Sequence, residues 1–360
     1  MAVERFGVNH PLAVKLWSRR MDVEALKETF YARFIGTSSN SLAQELTETR
    51  KGKGDSITWG LRALGTDEGV SEGEVLEGNE ESVQHYSDSL LINELRYGVR
   101  VKGEDSIDAQ RVPMDLRSEA YDQAKDWWSE RLDTAFFNTL AGNTAQTNLK
   151  YTGFNTPLAP SANRHIRAKA LATDEAVGAD NTAVFTLNLI DRAVNRAKTA
   201  TPPLRPIKGF GRDVDYVLFM HPDQVLALRS DATTAGNWFD LQKARLQGGD
   251  GDSNALFTGG VGVYNRTLVF ESTRIPNGVN STTGAAVSNT RRAVFCGAQA
   301  LAVAFGMNGG PTKFSWREEL FDYGDELGVK AGLIHGMKKS RFNDEDYGTI
   351  TITTYAAPAA

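Results

Sequence analysis

DSITWGLRALGTDEGVSEGEVLEGNEESVQHYSDSLLINELRYGVRVK (residues 55–102), followed by PMDLRSEAYDQAKDWWSERLDTAFFNTLAG (residues 113–142), is the stretch that decides the fold. Ile57, Trp59 and Leu61 alternate with Thr58, Gly60 and Arg62. Leu95, Tyr97, Val99 and Val101 alternate with Arg96, Gly98, Arg100 and Lys102, so both ends read as strands with one apolar face. Between them come Asp67, Glu68, Glu72, Glu74, Glu77, Glu80 and Glu81, with no Lys or Arg from Asp67 to Glu81 and with Gly69, Gly73 and Gly78 interrupting the run. Alone, such a segment is a solvated loop. Joined across this tip the two strands make a long hairpin arm, and an isolated hairpin is marginally stable in water. Either neighbouring subunits complete the arm, or it folds back on its own domain around a loose tip.

The second half of the stretch reads as one long helix. Pro113 suits a first turn, Asp115 and Glu119 suit the positive end of the helix dipole, and Gly142 is a natural stop. Tyr121, Ala124, Trp128, Leu132, Ala135, Phe136 and Leu140 recur at three- and four-residue steps, while Asp122, Lys125, Asp126, Glu130 and Arg131 fill much of the other side. At about 1.5 Å per residue the helix spans roughly 40 Å, long enough to cross a whole domain. Paired Trp127 and Trp128 read as core filler.

With 360 residues and ordinary apolar content the chain supports a sizeable core, in two domains or one with excursions. No apolar run approaches the ~20 residues of a membrane span, and the N-terminus lacks a secretory pattern, so cytosolic synthesis is expected. Cys296 is the only cysteine, which excludes an intrachain disulfide and a thiolate metal cage. A net charge of −5 argues against a dedicated nucleic-acid binder, though not against enclosing nucleic acid.

Residues 1 to about 20 read as an extended arm, followed by a helical stretch with Leu26, Phe30 and Phe34 on one side. From Thr182 a second unit of alternating elements begins: a helix with Leu189, Ile190, Ala193, Val194 and Ala197, a strand Tyr216 to Met220, and a helix Pro222 to Leu228. Phe239, Leu241 and Leu246 suggest another helix, ended by the loop Gly248 to Asp252. Strands follow at Thr267 to Phe270 and Ala293 to Cys296, then extended segments at Leu327 to His335 and Tyr347 to Tyr355. Helices interleaved with short strands indicate an α/β or α+β arrangement.

Motifs that invite enzymatic readings each fail a second requirement. Gly54-Asp55-Ser56-Ile57 copies a lipase nucleophile block, but none of His10, His85, His165, His221 or His335 has an Asp three residues before it. Asp250, Asp252 and Asn254 imitate a calcium loop, yet Ala255 replaces its glycine and Val261 its closing glutamate. Gly259, Gly260 and Gly262 lack the third glycine of a dinucleotide fingerprint.

The order of elements resembles the Hong-Kong-97-type major capsid protein of tailed phages, and the chain is most similar to the major capsid family typified by phage N-four. Leu16-Trp17-Ser18 with Phe30 and Phe34, GGVGVYNRTLVFES (259–272) ahead of Ile275-Pro276, and RAVFCGAQALAVAFG (292–306) carry the resemblance. So does Glu319 to Gly348, with Asp322-Tyr323-Gly324, Gly328-Val329, Gly332, Gly336-Met337-Lys338-Lys339, Phe342 and Asp346-Tyr347-Gly348. The resemblance implies an α+β fold in five parts: an N-terminal arm and short helix (1–54), an E-loop hairpin (55–102), a P-domain segment with the spine helix and a connection (103–181), an A-domain (182–309) and C-terminal P-domain strands (310–360).

It further implies a non-enzymatic protein without cofactor that self-assembles, as hexamers and pentamers, into an icosahedral phage head around double-stranded DNA in the host cytoplasm. Expected partners are a separate scaffolding protein, since no long charged helical region precedes the arm, a portal and, where the shell carries one, a decoration protein. An encapsulin-like compartment shell and a serine hydrolase using Ser56 are the alternatives. The acidic tip, with Glu72, Glu74 and Glu77, has no cation in its own sequence, whereas Arg50, Lys51 and Lys53 cluster just before the hairpin. The expectation is that one subunit's tip lies over this cluster on a neighbour.

Overall fold

The computed structural model describes residues 20, 21, 24, 25, 29–47, 54–62, 65, 68–73, 75–102, 107–111, 113, 115–207, 214–230, 262–306 and 312–358. After a 3-10 turn at Phe30–Phe34 come β1 (Ile35–Gly36), β2 (Ala43–Leu46), β3 (Ser56–Arg62), β4 (His85–Leu91) and β5 (Asn93–Lys102). Then follow β6 (His165–Arg167), β7 (Tyr216–Met220), β8 (Gly262–Tyr264), β9 (Thr267–Glu271) and β10 (Thr290–Cys296). β11 (Leu301–Phe305), β12 (Phe314–Phe321), β13 (Glu326–Lys339) and β14 (Thr349–Tyr355) close the chain. The main helices are α1 (Leu116–Ala141), α2 (Leu187–Thr199) and α3 (Pro222–Ser230). The expectations for residues 1–19, Leu26, the helix at Phe239 to Leu246 and the loop at 248–254 lie outside the described residues.

The 26-residue α1 begins where the Asp115 side chain accepts a hydrogen bond from Arg117 N and stops at Gly142, whose φ of 63° is left-handed. A Cβ at Gly142 would sit 2.3 Å from Leu158 O, so glycine is required there. Pro113 stands two residues ahead of the capping Asp115 rather than in the first turn. Every residue of the expected apolar face, from Tyr121 to Leu140, is buried. Asp133, Phe137, Asn138 and Thr139 are buried as well, because the last turns of α1 run into contact with both sheets.

The first sheet runs β1-β2-β11-β13-β12, with β5 on the opposite side of β13 from β12. The second runs β6-β14-β10-β7-β9-β8. One core cluster joins α1 to the first sheet and reaches Val217, Phe219 and Val294 of the second. Here Phe34 and Phe137 meet Phe219 edge-on at 5.0 and 5.5 Å, favourable geometry for aromatic pairs. The Asp133 carboxylate accepts hydrogen bonds from Phe30 N (3.0 Å) and Tyr31 N (3.2 Å), tying the N-terminal segment to α1. A separate cluster packs α2 and α3 against the second sheet.

The chain crosses between the sheets at Gly297 and again at Gly348, where Gly297 N donates to Gly348 O at 2.8 Å. A polar centre lies beside this crossing. Asp174 accepts from Arg292 Nε and Nη2 (3.0 and 2.8 Å) and from Arg167 Nε (2.7 Å), while Arg292 Nη1 donates to Gly142 O at the end of α1. Burial pushes the Asp174 pKa up, but Arg292, His165 and Arg167 outweigh it and hold the carboxyl below its ordinary range.

One expectation is corrected. Residues 95–101 do not close the hairpin: β3 pairs with β4 (Ile57 opposite Leu90, Leu61 opposite Tyr86), and β5 pairs with β13 (Val99 opposite Val329). The reason is burial, since Leu95, Tyr97, Val99 and Val101 pack on the core cluster that includes α1, where Tyr97 stacks on Trp127 at 4.3 Å. The two sheets also draw strands from interleaved parts of the chain. β11 belongs to the first sheet, and β14, fully buried up to Thr354, pairs along all seven residues of β10 in the second.

Candidate inter-subunit surfaces

The β3–β4 hairpin is attached by a small apolar base. Ile57 and Leu90 are buried against Ala302 and Ala304, with Leu46, Trp59 and Ile92 around them. Beyond that base both strands are exposed or half-buried, and the described part of the tip consists of exposed residues apart from half-buried Val70. Left-handed glycines bend the tip, Gly73 at φ 97° and Gly78 at φ 91°, and Gly78 N donates to Glu80 Oε2. Val75, Leu76 and Val83 are 67%, 57% and 65% exposed there. These three apolar side chains stand exposed among carboxylates. The acidic run masks them in the sequence.

Of the expected contact residues, Glu72 and Glu77 are exposed and make no ion pair among the described residues. Glu74, Arg50, Lys51 and Lys53 lie outside the described residues.

A second surface lies at the β12–β13 turn. Leu320 and Phe321 are half exposed and Tyr323 projects fully into solvent, carried by a turn in which Asp322 and Tyr323 have φ of 50° and 54°. Left-handed backbone at two non-glycine residues is strained, and such strain is tolerated where the turn presents a side chain. The Arg100 guanidinium lies 4.0 Å over the Phe321 ring. Beside it a shallow trough of about 590 Å³ crosses β5, β13 and β12, lined by Gly98 and Gly328, by Arg100, Arg317 and Lys330 and by Glu318 and Glu319, with Arg100 paired to Glu326 and Lys330 to Glu94.

Among the described residues no hydrogen bond joins Ser56 to a histidine. Ser56 opens β3 opposite Leu91, whereas His85 pairs with Arg62 at the far end of the same hairpin. Six residues of strand at about 3.3 Å each put the pair roughly 20 Å apart, beyond any proton transfer. His165 and His335 are held elsewhere, and burial pushes their pKa values down to about 3 and about 4. Among the described residues there is no group of three or more His, Cys, Asp or Glu able to hold a metal, and no helix is long and apolar enough to cross a membrane.

The arm, the long helix beneath a mixed sheet and the second α/β unit have close counterparts among known proteins. The family model described as phage capsid protein matches residues 5–358. The major capsid protein of Pseudomonas phage KPP25 is 28% identical to this chain over 366 residues, 94% of this chain and 93% of that protein. The capsid of Ralstonia phage GP4 matches with a TM-score of 0.76 at 30% identity, covering 100% of both chains. The capsid asymmetric unit of Cyanophage Pam1 shares the fold, with a TM-score of 0.72 at 17% identity over 93% of this chain and 94% of that one. The α+β capsid fold of the Hong-Kong-97 type, expected from the sequence, is the fold of this chain, and the compartment and hydrolase readings give way to it. A structural protein of the phage head and not an enzyme, the chain belongs to the phage capsid protein family.

Proposed function

We propose that this shell protein is the major capsid subunit of a tailed double-stranded DNA phage, assembling as hexamers and pentamers into an icosahedral head that encloses the genome without reading its sequence. A separate scaffolding protein, a portal and, where the shell carries one, a decoration protein are its partners. The P-domain is centred on α1 and the first sheet, the A-domain on the second sheet, and the hairpin is the E-loop that links subunits.

The observation that carries this reading is the uncovered tip of the arm, with Val75, Leu76 and Val83 more than half exposed beside Glu72 and Glu77. Fully burying a Val or Leu contributes about 1.5–3 kcal/mol, so covering the exposed part of these three contributes roughly 3 kcal/mol per arm. Exposed ion pairs add ~0–1 kcal/mol each. Such contacts are too weak to hold two subunits, yet a closed lattice multiplies them through effective concentration. The cluster Arg50, Lys51 and Lys53 of a neighbour is the first seat for the acidic tip, and the trough edged by Arg100, Arg317 and Lys330 is a second.

Charge reversal tests the pairing. Glu72→Lys, Glu74→Lys and Glu77→Lys together should block shell formation, and adding Arg50→Glu, Lys51→Glu and Lys53→Glu should partly restore it. Folded variants without rescue would transfer the seat to the trough, which Arg100→Glu with Arg317→Glu then tests. Failure of both rescues would refute electrostatic seating of the tip.

A further inference from the structure

We infer that Asn155 is a positioning residue for assembly: its side-chain amide sets the angle at which the β3–β4 arm leaves the body of the subunit. The inference rests on the arm's proposed reach to a neighbour. At Leu91 the arm ends, Ile92 interrupts the strand, and β5 starts inside the first sheet. One side of Leu91 faces Ser56 of β3. On the other, Asn155 Nδ2 donates to Leu91 O at 2.6 Å and Leu91 N donates to Asn155 Oδ1 at 3.0 Å. Those are the two bonds that a residue of an adjacent strand exchanges with its partner, supplied here by one side chain.

Other elements grip the same point. Ile92 N donates to Asp55 O at 2.9 Å, and Lys338 Nζ joins the Asp88 carboxylate to Ser89 O. Arg341 N donates to Asp88 Oδ2, and Gly336 lies so close that a Cβ there would stand 2.3 Å from Leu91 O. Polar clamping at one residue matters because the apolar base has only four fully buried residues. The arm is a lever: seven residues of β4 span about 23 Å, so a swing of roughly 10° at Leu91 displaces the far end by about 4 Å. That distance is enough to break side-chain contact with a neighbour.

Asn155→Ala removes both bonds and leaves the Leu91 amide and carbonyl, covered in the parent by buried Asn155 and closely approached by Gly336, without their side-chain partner. A lowered thermal midpoint is therefore expected, and the angle is measured below it, where circular dichroism shows the variant folded. The angle is read by pulsed electron-spin distances between labels at Ser87→Cys on β4 and Lys198→Cys on α2, the native Cys296 being buried. Asn155→Ala should broaden the distribution, and Asn155→Asp, which keeps the acceptor for Leu91 N, should fall between it and the parent. If the competent orientation drops to roughly one-tenth of the population, the critical concentration for shell formation rises about tenfold. An unchanged distribution in Asn155→Ala overturns the inference, and so does a broadened one with an unchanged critical concentration. Deleting residues 69–78 separates the two claims: if that variant assembles like the parent, the arm's reach is what has failed, whatever the spin labels report.

Discussion

Replacing Trp128 with alanine tests whether the long helix is the mechanical centre of the subunit. Trp128 is fully buried, meeting Trp127 edge-on at 5.1 Å and Phe314 at 5.3 Å. Truncating a buried Trp to Ala costs about 3–5 kcal/mol, and two edge-to-face partners place this site in the upper part of that range. Among the described residues the indole Nε1 has no hydrogen-bond partner, so no polar interaction with them is lost. For the same reason Trp128→Phe removes an orphaned donor whose burial costs about 1–3 kcal/mol, which offsets much of the lost contact. Thermal unfolding of the unassembled subunit, followed by circular dichroism, should show a fall of roughly 4–10 °C for Trp128→Ala, taking about 1–2 °C per kcal/mol for a chain of this length. Trp128→Phe should stay within about 1.5 kcal/mol of the parent. An unchanged midpoint for Trp128→Ala would refute the reasoning and assign the residue to an interface.

Three further outcomes follow from specific contacts. Asp133→Ala unpairs Phe30 N and Tyr31 N, so it should cost about 1–3 kcal/mol and speed hydrogen exchange at those two amides before any other; unchanged exchange would break the proposed tie between the N-terminal segment and α1. His335 is buried with its pKa pushed from 6.5 down to about 4, so between those values the unfolded chain binds a proton that the folded chain does not. Stability is therefore full above pH 6.5 and falls toward pH 4 by up to about 3 kcal/mol, a slope that His335→Gln should reduce in acid-unfolding titrations. Gly336→Ala forces a methyl against Leu91 O and should destabilise the hairpin base by about 1–3 kcal/mol, seen as faster exchange at Leu91 and Ile92.

Local signals carried the reading where the cause was local. Asp115, the three- and four-residue recurrence from Tyr121 to Leu140, and Gly142 contain nearly everything that defines α1, since capping and amphipathicity act within a few residues. The same holds for Tyr216–Met220 and for Leu187–Thr199. Pairing was less legible. β4 carries Asp88 between Tyr86 and Leu90 and shows little apolar alternation, so β5 looked like the better partner for β3; what decided the matter was the core under α1, which draws on residues more than 200 positions away. Nothing in the local sequence distinguishes Asp133 from the other charged residues of α1, and only the approach of Phe30 and Tyr31 gives its carboxylate a purpose. Asn155 sits in a loop that reads as irregular connection, and its partner is 64 residues earlier. At the tip, glutamates mark the loop as exposed, and the exposed apolar residues Val75, Leu76 and Val83 are easily passed over among them.

Cryo-electron microscopy of the assembled particles would show where each arm ends. Icosahedral shells built of hexamers and pentamers are expected, with residues 69–78 of each arm lying on an adjacent subunit that covers Val75 and Leu76. Particles in which every tip packs only on its own chain, or assemblies without closed symmetry, would contradict this expectation.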